Sequence, residues 1–120
     1  MERKYRLRSN ADFQRTRHKG KSWVNRLVVL CVLPNDLEHS RFGFAASKRI
    51  GKAVVRNRVR RRMREAVRLR RALISGGWDL VFIARSSIRH ASYAEIDQGV
   101  EHLLRRANLY ESLNRENESE

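Results

Sequence analysis

The chain has 120 residues, a length that suits one compact domain and leaves no room for a separate enzyme module beside a binding module. Lysine and arginine number 27 against 13 acidic residues, for a formal charge of +14, while 41% apolar residues exclude a basic tail that cannot fold. No apolar run is long enough to span a bilayer or to form a signal peptide, so we expect a cytoplasmic protein with a polyanionic partner and no membrane contact.

The first half of the chain predicts one short helix and one long strand. Ser9–Asp12 offers N-cap residues for a helix that runs to about His18 and is closed by Gly20. The apolar segment 23–33 is too uniformly apolar for a surface helix and predicts a buried strand. Residues 34–36 then predict a turn.

The second half alternates strands with longer helices. Residues 41–47 alternate in polarity and predict a second strand, and 79–84 predict a third buried strand after the Gly76-Gly77 break. Between them, 54–74 predicts a long helix, and 93–109 predicts the last helix with an apolar stripe. The element order is therefore α-β-β-α-β-α, an α/β fold.

The long helix is predicted to be two-sided. Its apolar side faces the sheet and its opposite side is dominated by arginine. Arg62 and Arg70 project from the apolar side, so we expect their charged heads to reach water or RNA. The apolar set is Val55, Val59, Met63, Ala66, Val67, Leu69 and Leu73, and the opposite set is Asn57, Arg60, Arg61, Arg64, Arg68 and Arg71.

The charge pattern of this helix differs from that of an ordinary solvated face. Such a face places acids four residues from cations, whereas here Arg60, Arg64 and Arg68 follow one another at that spacing and Glu65 is the only acid on the helix. Like charges in this arrangement repel and an external anion relieves the repulsion. The planar fork of arginine suits phosphate, so the face predicts salt-dependent binding of nucleic acid.

The loop before this helix, residues 47–53, places Lys48, Arg49 and Lys52 beside Gly51. Helix N-termini attract phosphate because backbone N–H groups and the helix dipole point at the anion. The Gly-x-x-x-x-Gly-Lys-Ser/Thr pattern of a nucleotide-binding P-loop is absent, so the loop predicts contact with an RNA backbone instead.

Side chains that carry chemistry form no recognisable constellation. The four histidines lack metal-ligand spacing, Cys31 is the single cysteine, and the acids form no cluster that could hold metal ions for backbone hydrolysis. We therefore predict no catalytic residue and no metal site in this chain.

The segment 45–66 carries a composite motif. It reads Ser47-Lys48-Arg49-x-Gly51-x-Ala53, then Arg56-Asn57-Arg58, then a basic run. This combination closely resembles the signature of the bacterial ribonuclease P protein family, and the likeness runs from about Tyr5 to Tyr110.

The resemblance implies a fold and an organisation. We expect an α/β (α+β) two-layer sandwich whose central, mostly antiparallel sheet carries the arginine helix through a left-handed βαβ crossover, although the general rule for such crossovers is right-handed. A short extra strand is expected near 21–24. A single RNA-binding domain, 1–110, would precede a polar acidic tail, 111–120.

The resemblance also implies a function. We expect the protein subunit of ribonuclease P, a ribonucleoprotein endoribonuclease that removes the 5′ leader from precursor tRNA to give mature tRNA 5′ ends. Its partners would be the catalytic RNA subunit and precursor tRNA. Catalysis would belong to that RNA and to Mg²⁺ in the holoenzyme, with no cofactor bound by the protein alone.

Two sets of contact residues are implied. A cleft between the first helix and the sheet would receive the single-stranded leader at Phe13, Arg17 and Cys31, where aromatic side chains suit base stacking. Arg17 and Cys31 stand where many relatives have aromatics. The catalytic RNA would be contacted by Lys48, Arg49, Lys52, Arg56, Asn57, Arg58, Arg60, Arg61, Arg64 and Arg68.

Two other functions fit the charge and size. A structural RNA-binding protein of ribosomal type would share both but would not need the leader cleft or the Arg-Asn-Arg segment. A DNA-binding regulator is the other alternative, because an arginine helix fits a major groove.

Overall fold

The computed structural model describes residues 1–111. It contains three helices and four strands, with short 3₁₀ turns at 3–5, 48–50, 71–73 and 86–90. In chain order the elements are α1 (Asn10–Lys19), β1 (Lys21–Val24), β2 (Val28–Pro34), β3 (Arg41–Ala45), α2 (Ala53–Arg68), β4 (Trp78–Ala84) and α3 (Tyr93–Arg106).

The four strands form one sheet in the order β1-β2-β4-β3. The β1–β2 and β2–β4 pairs are antiparallel, and β3–β4 is parallel. A parallel pair of neighbours needs a crossover connection, which α2 supplies. The predicted mixed α/β fold with a mostly antiparallel sheet is confirmed, and the hand of the crossover stays a prediction.

The sheet buries side chains on both faces because alternate residues of a strand point in opposite directions. On one face, Leu30 and Phe82 belong to the main core together with Met63 of α2 and Leu103 of α3. A smaller cluster of Leu7, Cys31 and Val81 lies on the other face, where Phe13 of α1 packs on it. Helices α2 and α3 therefore cover one face, and α1 crosses the second.

The single strand predicted for 23–33 is wrong, because the chain forms two strands joined by a tight turn. Asn25 makes the turn: its side-chain oxygen accepts from the backbone N–H groups of Leu27 at 3.0 Å and Val28 at 2.9 Å. Asparagine favours such turns because its side chain reaches its own backbone two or three residues on. The extra strand that the family resemblance implied near 21–24 is confirmed as β1.

The long helix is shorter than the predicted 54–74. Helix α2 ends at Arg68 and gives way to the 3₁₀ turn at 71–73. Leu69 and Leu73, predicted on the buried side, are 59% and 51% exposed, while Ile74 is buried. Ending the helix early lets the chain turn back so that Ile74 reaches the core and bridges to Tyr110.

Helix boundaries elsewhere follow their capping residues. The Ser9 hydroxyl accepts from the Asp12 N–H at 3.4 Å, as predicted. Ser92 and Glu95 form a capping box at the start of α3, which ends at Arg106 rather than near 109. The predicted apolar stripe of α3 is confirmed by the burial of Ile96, Val100, Leu103 and Leu104.

The strand predicted over 41–47 ends at Ala45, just before the 3₁₀ turn at 48–50. At its start, an ion pair locks β3 to β4: Arg41 donates to the fully buried carboxylate of Asp79 through Nε at 2.9 Å and Nη2 at 2.7 Å. Asn35 donates to the same carboxylate at 3.0 Å. These bonds offset the cost of burying a charge at the edge of the apolar core.

The predicted polar tail, 111–120, lies outside the described residues except for Glu111. The Glu111 N–H donates to the Leu73 carbonyl at 2.7 Å, next to the Ile74–Tyr110 bridge. The described chain thus finishes packed beside the 3₁₀ turn that follows α2.

Candidate nucleic-acid interface

Helix α2 presents its arginines outward because its apolar side chains are taken by the core. Val59, Met63, Ala66 and Val67 are buried. The predicted contact residues occupy the remaining surface of α2 and the loop before it. Exposed members are Lys48, Arg49, Lys52, Asn57, Arg61 and Arg68, and partly buried members are Arg56, Arg58, Arg60 and Arg64.

Most of these cations are not neutralised within the protein. Across residues 1–111, only Arg60 and Arg68 of the set donate to another side chain. Arg60 donates to the side-chain oxygen of Asn57, one helical turn before it. Asn57 therefore orients the Arg60 guanidinium, and its own amide N–H groups donate to no residue within 1–111.

The positive end of the α2 helix dipole has no acidic side chain beside it. Lys52 occupies the N-cap position without a side-chain cap bond, and no acid stands in the first turn. Gly51 just before it has φ 153°, a backbone conformation that side-chain-bearing residues rarely adopt. The 3₁₀ turn at 48–50 and Gly51 thus bring Lys48, Arg49 and Lys52 to a helix N-terminus, which is suited to a phosphate.

Arg64 is partly buried beside strand β3. Its guanidinium carbon is 5.7 Å from the ring centre of Phe44 on β3, a cation–π distance. Partial burial, together with the nearby charges of Arg6 and Arg60, lowers the pKa of Arg64. Arg6, which pairs with Phe42 at the edge of the sheet, extends the basic surface beyond α2. The sequence reasoning missed it because Arg6 lies far away in the chain.

The last arginines of the region have internal partners. Arg68 grips the carboxylate of Glu65 through two hydrogen bonds of 2.8 and 2.7 Å. Arg70 was expected to reach water or RNA, and that expectation is wrong. Its guanidinium donates to Asp97 at 2.5 and 2.8 Å and to Glu101 at 2.7 Å, so Arg70 ties the end of α2 to α3. Hydrogen bonding to Asp97 raises the pKa of Arg70.

A second basic segment lies beside the loop that precedes α2. The 3₁₀ turn at 86–90, after β4, packs against the turn at 48–50 and carries exposed Arg89 and His90. Sequence reasoning did not place these two residues at the interface. In the sequence, Arg89 and His90 are simply two basic residues after a buried strand. That pattern does not indicate which loop they contact.

The predicted leader residues lie on the opposite face of the sheet. Phe13 packs over Gly43, where an added Cβ would stand 3.0 Å from the ring, so the glycine makes room for the aromatic. Cys31 is only 4% exposed. Burial raises the pKa of its thiol, and the nearby positive charge of Arg17 opposes that rise. The structure thus brings Phe13, Arg17 and Cys31 together, and Cys31 is the buried residue of the three.

Beside α1 the same face of the sheet is more open. Val24, Val29, Ile83 and Ala45 stand side by side across all four strands. Val24 is 46% exposed, and the other three are partly buried. This apolar row, absent from the sequence predictions, continues the surface that Phe13 and Arg17 begin.

Other kinds of site are not seen in the described part of the chain. Within residues 1–111, no three or more His, Cys, Asp or Glu side chains are grouped so as to hold a metal ion. A search of the same residues for helices long and apolar enough to cross a membrane finds none.

These features define a class: a small α/β protein whose sheet carries a strongly basic helix and loop on one side and, on the other, a short helix whose Phe13 packs beside an apolar row. The family model described as Ribonuclease P matches residues 1–108. The chain belongs to the ribonuclease P protein component family, whose members serve with an RNA partner in an endoribonuclease complex for tRNA 5′ processing. This confirms the resemblance carried by the Arg56-Asn57-Arg58 motif.

Individual relatives agree over nearly the whole length. The ribonuclease P protein component of Roseiflexus castenholzii is 46% identical over 91% of this chain and 90% of its own. That of Alkaliphilus oremlandii is 41% identical over 89% and 94%. The solved structure of the Staphylococcus aureus RNase P protein superposes with a TM-score of 0.83 at 35% identity, covering 89% of this chain and 98% of that one.

Proposed function

We propose that this chain binds the catalytic RNA of ribonuclease P through the α2 surface and the 5′ leader of precursor tRNA through the α1 cleft. The observation that carries the proposal is the set of unneutralised cations around the uncapped start of α2. Arginine forks and backbone N–H groups together suit a folded RNA backbone, because its phosphates accept both.

The α1 cleft suits a single strand for a different reason. A ring at Phe13, a cation at Arg17 and an apolar row at Val24, Val29 and Ile83 supply stacking and phosphate contact without base-specific hydrogen bonds. Such a surface accepts leaders of varied sequence. Because the two surfaces lie on opposite faces of one rigid sheet, the protein holds the leader in a fixed relation to the RNA.

The protein's contribution to the reaction is then positioning and charge compensation. Cations on α2 offset the repulsion between phosphates of the catalytic RNA and of the substrate. The proposal gives the hydrolytic step and its Mg²⁺ ions to the RNA subunit, as the family resemblance implies, and places the complex in the cytoplasm. No carboxylate or histidine of the chain is assigned a role in bond cleavage.

A comparison of substrates with and without a leader tests the cleft. We expect the complex of this chain with its catalytic RNA to bind precursor tRNA more tightly than leaderless tRNA. Arg17→Ala is expected to reduce that preference and to leave the affinity for leaderless tRNA unchanged. Arg15→Ala, on the same helix but paired with Asp12 at 2.8 Å, is the matched control and keeps the preference. Equal affinity for both substrates with the unaltered protein would contradict the cleft assignment.

A further inference from the structure

A third surface, unused by the function proposed above, lies at the far end of the sheet. A groove of about 410 Å³ opens between the last turn of α1, the ends of β2 and β4, and the residues after α3. It exists because α3 stops at Arg106 and the chain turns away through Asn108, whose φ is 56°. The sheet face under this end of the helix is therefore left partly open.

Both tryptophans of the chain line this groove. Trp23 lies on β1 and Trp78 begins β4, and both rings pack at the margin of the main core while remaining partly exposed. Neither indole N–H donates a hydrogen bond to any residue in the described range. Val32 and Leu109 complete an apolar wall. Flat aromatic surface of this kind is suited to stacking a planar ring.

The rim of the groove is basic. Lys19 and Lys21 flank Gly20, and both line the opening. An added Cβ at Gly20 would stand 2.5 Å from the Thr16 carbonyl oxygen and 2.6 Å from that of Val32, so only glycine allows α1 to end this close to β2. That close approach brings the backbone of both lysines to the opening of the groove. Among residues 1–111, no acid lines the groove and neither lysine forms an ion pair.

We propose that this groove binds one unpaired nucleotide of a single-stranded RNA segment. The base stacks on Trp23 and Trp78, and its phosphate is held by Lys19 and Lys21. An aromatic wall with a cationic rim and no carboxylate matches a nucleotide, which is a planar ring joined to an anion. It matches an acidic peptide less well, because such a peptide offers no flat ring to the indoles.

The groove is separate from the α2 surface. Strand β4 runs seven residues from Trp78 at the groove to Ala84 near the 48–50 turn, about 20 Å at the rise of an extended strand. One nucleotide does not span that distance. The proposal rests on the RNA-binding function proposed above and adds a second, independent contact, so that the protein holds RNA at both ends of the sheet.

Intrinsic tryptophan fluorescence tests the proposal directly, because every tryptophan of the chain lies in the groove. The full-length protein is titrated with a six-nucleotide oligoadenylate RNA and, in parallel, with an abasic ribose-phosphate oligomer of the same length. We expect the oligoadenylate to quench the emission and the abasic oligomer to leave it unchanged. Trp78→Ala, with Trp23 as the remaining reporter, is expected to weaken the affinity roughly 5- to 150-fold, the factor that corresponds to loss of one stacked base.

If Trp78→Ala fails to fold, two double variants that remove equal charge provide a second test. Lys19→Ala with Lys21→Ala, at exposed positions, is expected to weaken the quenching. Arg15→Ala with Arg26→Ala removes the same charge at positions that do not line the groove, and it is expected to leave the quenching intact. Equal weakening in both pairs, or quenching by the abasic oligomer, would overturn the proposal in favour of non-specific attraction. An emission change that depends on protein concentration without RNA would assign the groove to a second copy of the chain.

Failure of this site is distinguishable from failure of the proposed function. If the oligoadenylate leaves the emission unchanged while the protein still binds its catalytic RNA with a steep salt dependence, the groove is not a nucleotide site and the α2 surface stands. If neither RNA is bound, both proposals fall.

Discussion

Arginines of the α2 region divide into two groups by their partners. The side chains of Arg61 and Arg64 make no hydrogen bond within residues 1–111, and that of Arg60 donates only to the neutral Asn57. Arg68 and Arg70 instead donate to carboxylates of the protein itself. A guanidinium already held by a carboxylate is a weaker site for phosphate, because its charge is compensated. We therefore expect the first group to make the main RNA contact and Arg68 to make a smaller contribution.

Replacing Arg60, Arg61 and Arg64 together with alanine tests that division. We expect the affinity for the catalytic RNA to fall and the log–log dependence of affinity on salt to flatten by roughly 2–3, because each phosphate contact contributes about 0.7–0.9 to the slope. The slope is measured by filter binding over a range of salt concentrations, and circular dichroism checks that the fold is retained.

A triple variant with the same loss of charge provides the control. Arg15, Arg26 and Arg105 each pair with an acid away from the α2 surface. Their joint replacement with alanine is expected to leave the slope nearly unchanged. If both triple variants flatten the slope alike, net charge rather than the α2 surface governs binding.

At the scale of secondary-structure elements, the position of α1 on the sheet depends on Gly43, which has no side chain under Phe13. Gly43→Ala places a methyl group 3.0 Å from the Phe13 ring and so pushes α1 away from the sheet. We expect a loss of about 1–3 kcal/mol in the free energy of unfolding, the usual cost of overpacking, together with weaker leader binding. Urea unfolding measures the first quantity.

Gly99→Ala is the matched control for that substitution. Its Cβ would find the nearest atom, on Asn25, at 3.5 Å, an ordinary contact, and alanine is a better helix former than glycine within α3. Stability is expected to stay level or to rise by up to about 1 kcal/mol. A loss equal to that of Gly43→Ala would show that the packing of Phe13 is not what Gly43 protects.

The link between α2 and α3 is expected to weaken at acid pH. The hydrogen bonds from Arg70 hold the pKa of Asp97 below its usual value, so the stabilisation is complete above the unfolded-state pKa of about 3.9 and is lost as the pH falls through the lower folded-state value. Arg70→Ala is expected to cost about 1–3 kcal/mol at neutral pH and progressively less below about pH 4. Urea unfolding of both proteins across that range measures the difference, and a cost independent of pH would contradict the linkage.

Patterns within single segments predicted the elements, and contacts between segments decided what the predictions missed. The apolar period of α2 as far as Val67, the α3 stripe and the Ser9 cap are local features, and these are confirmed. The polar pair Asn25-Arg26 lies at the turn, but the sequence prediction continued one strand through it because the residues on both sides are apolar. Leu69 and Leu73 extend the helical period, yet the return of the chain to bury Ile74 ends the helix first.

The candidate site likewise contains residues that are contiguous in sequence, which could be predicted, and residues from distant segments, which could not. The residues of the motif at 45–66 are contiguous, so the family resemblance placed them on one loop and helix before the structure was known. Tertiary contacts bring further residues to the candidate surfaces, namely Arg6, Arg89, Val29 and Ile83. The periodicity of a single segment does not show which other segments it contacts. Arg70 was misplaced because its partners, Asp97 and Glu101, lie on another helix.

For the molecule as a whole, a formal charge of +14 on one small domain is an electrostatic load that an RNA partner relieves. Divalent cations relieve phosphate repulsion in the same way. The protein is therefore expected to matter most where Mg²⁺ is scarce, because its cations then supply screening that the ions otherwise provide.

The central claim is tested most directly by cleavage of precursor tRNA by the cognate catalytic RNA at low Mg²⁺, with and without this chain. We predict strong stimulation with release of the 5′ leader, and no cleavage by the protein alone. Absence of stimulation, by folded protein that still binds the RNA tightly, would contradict the account.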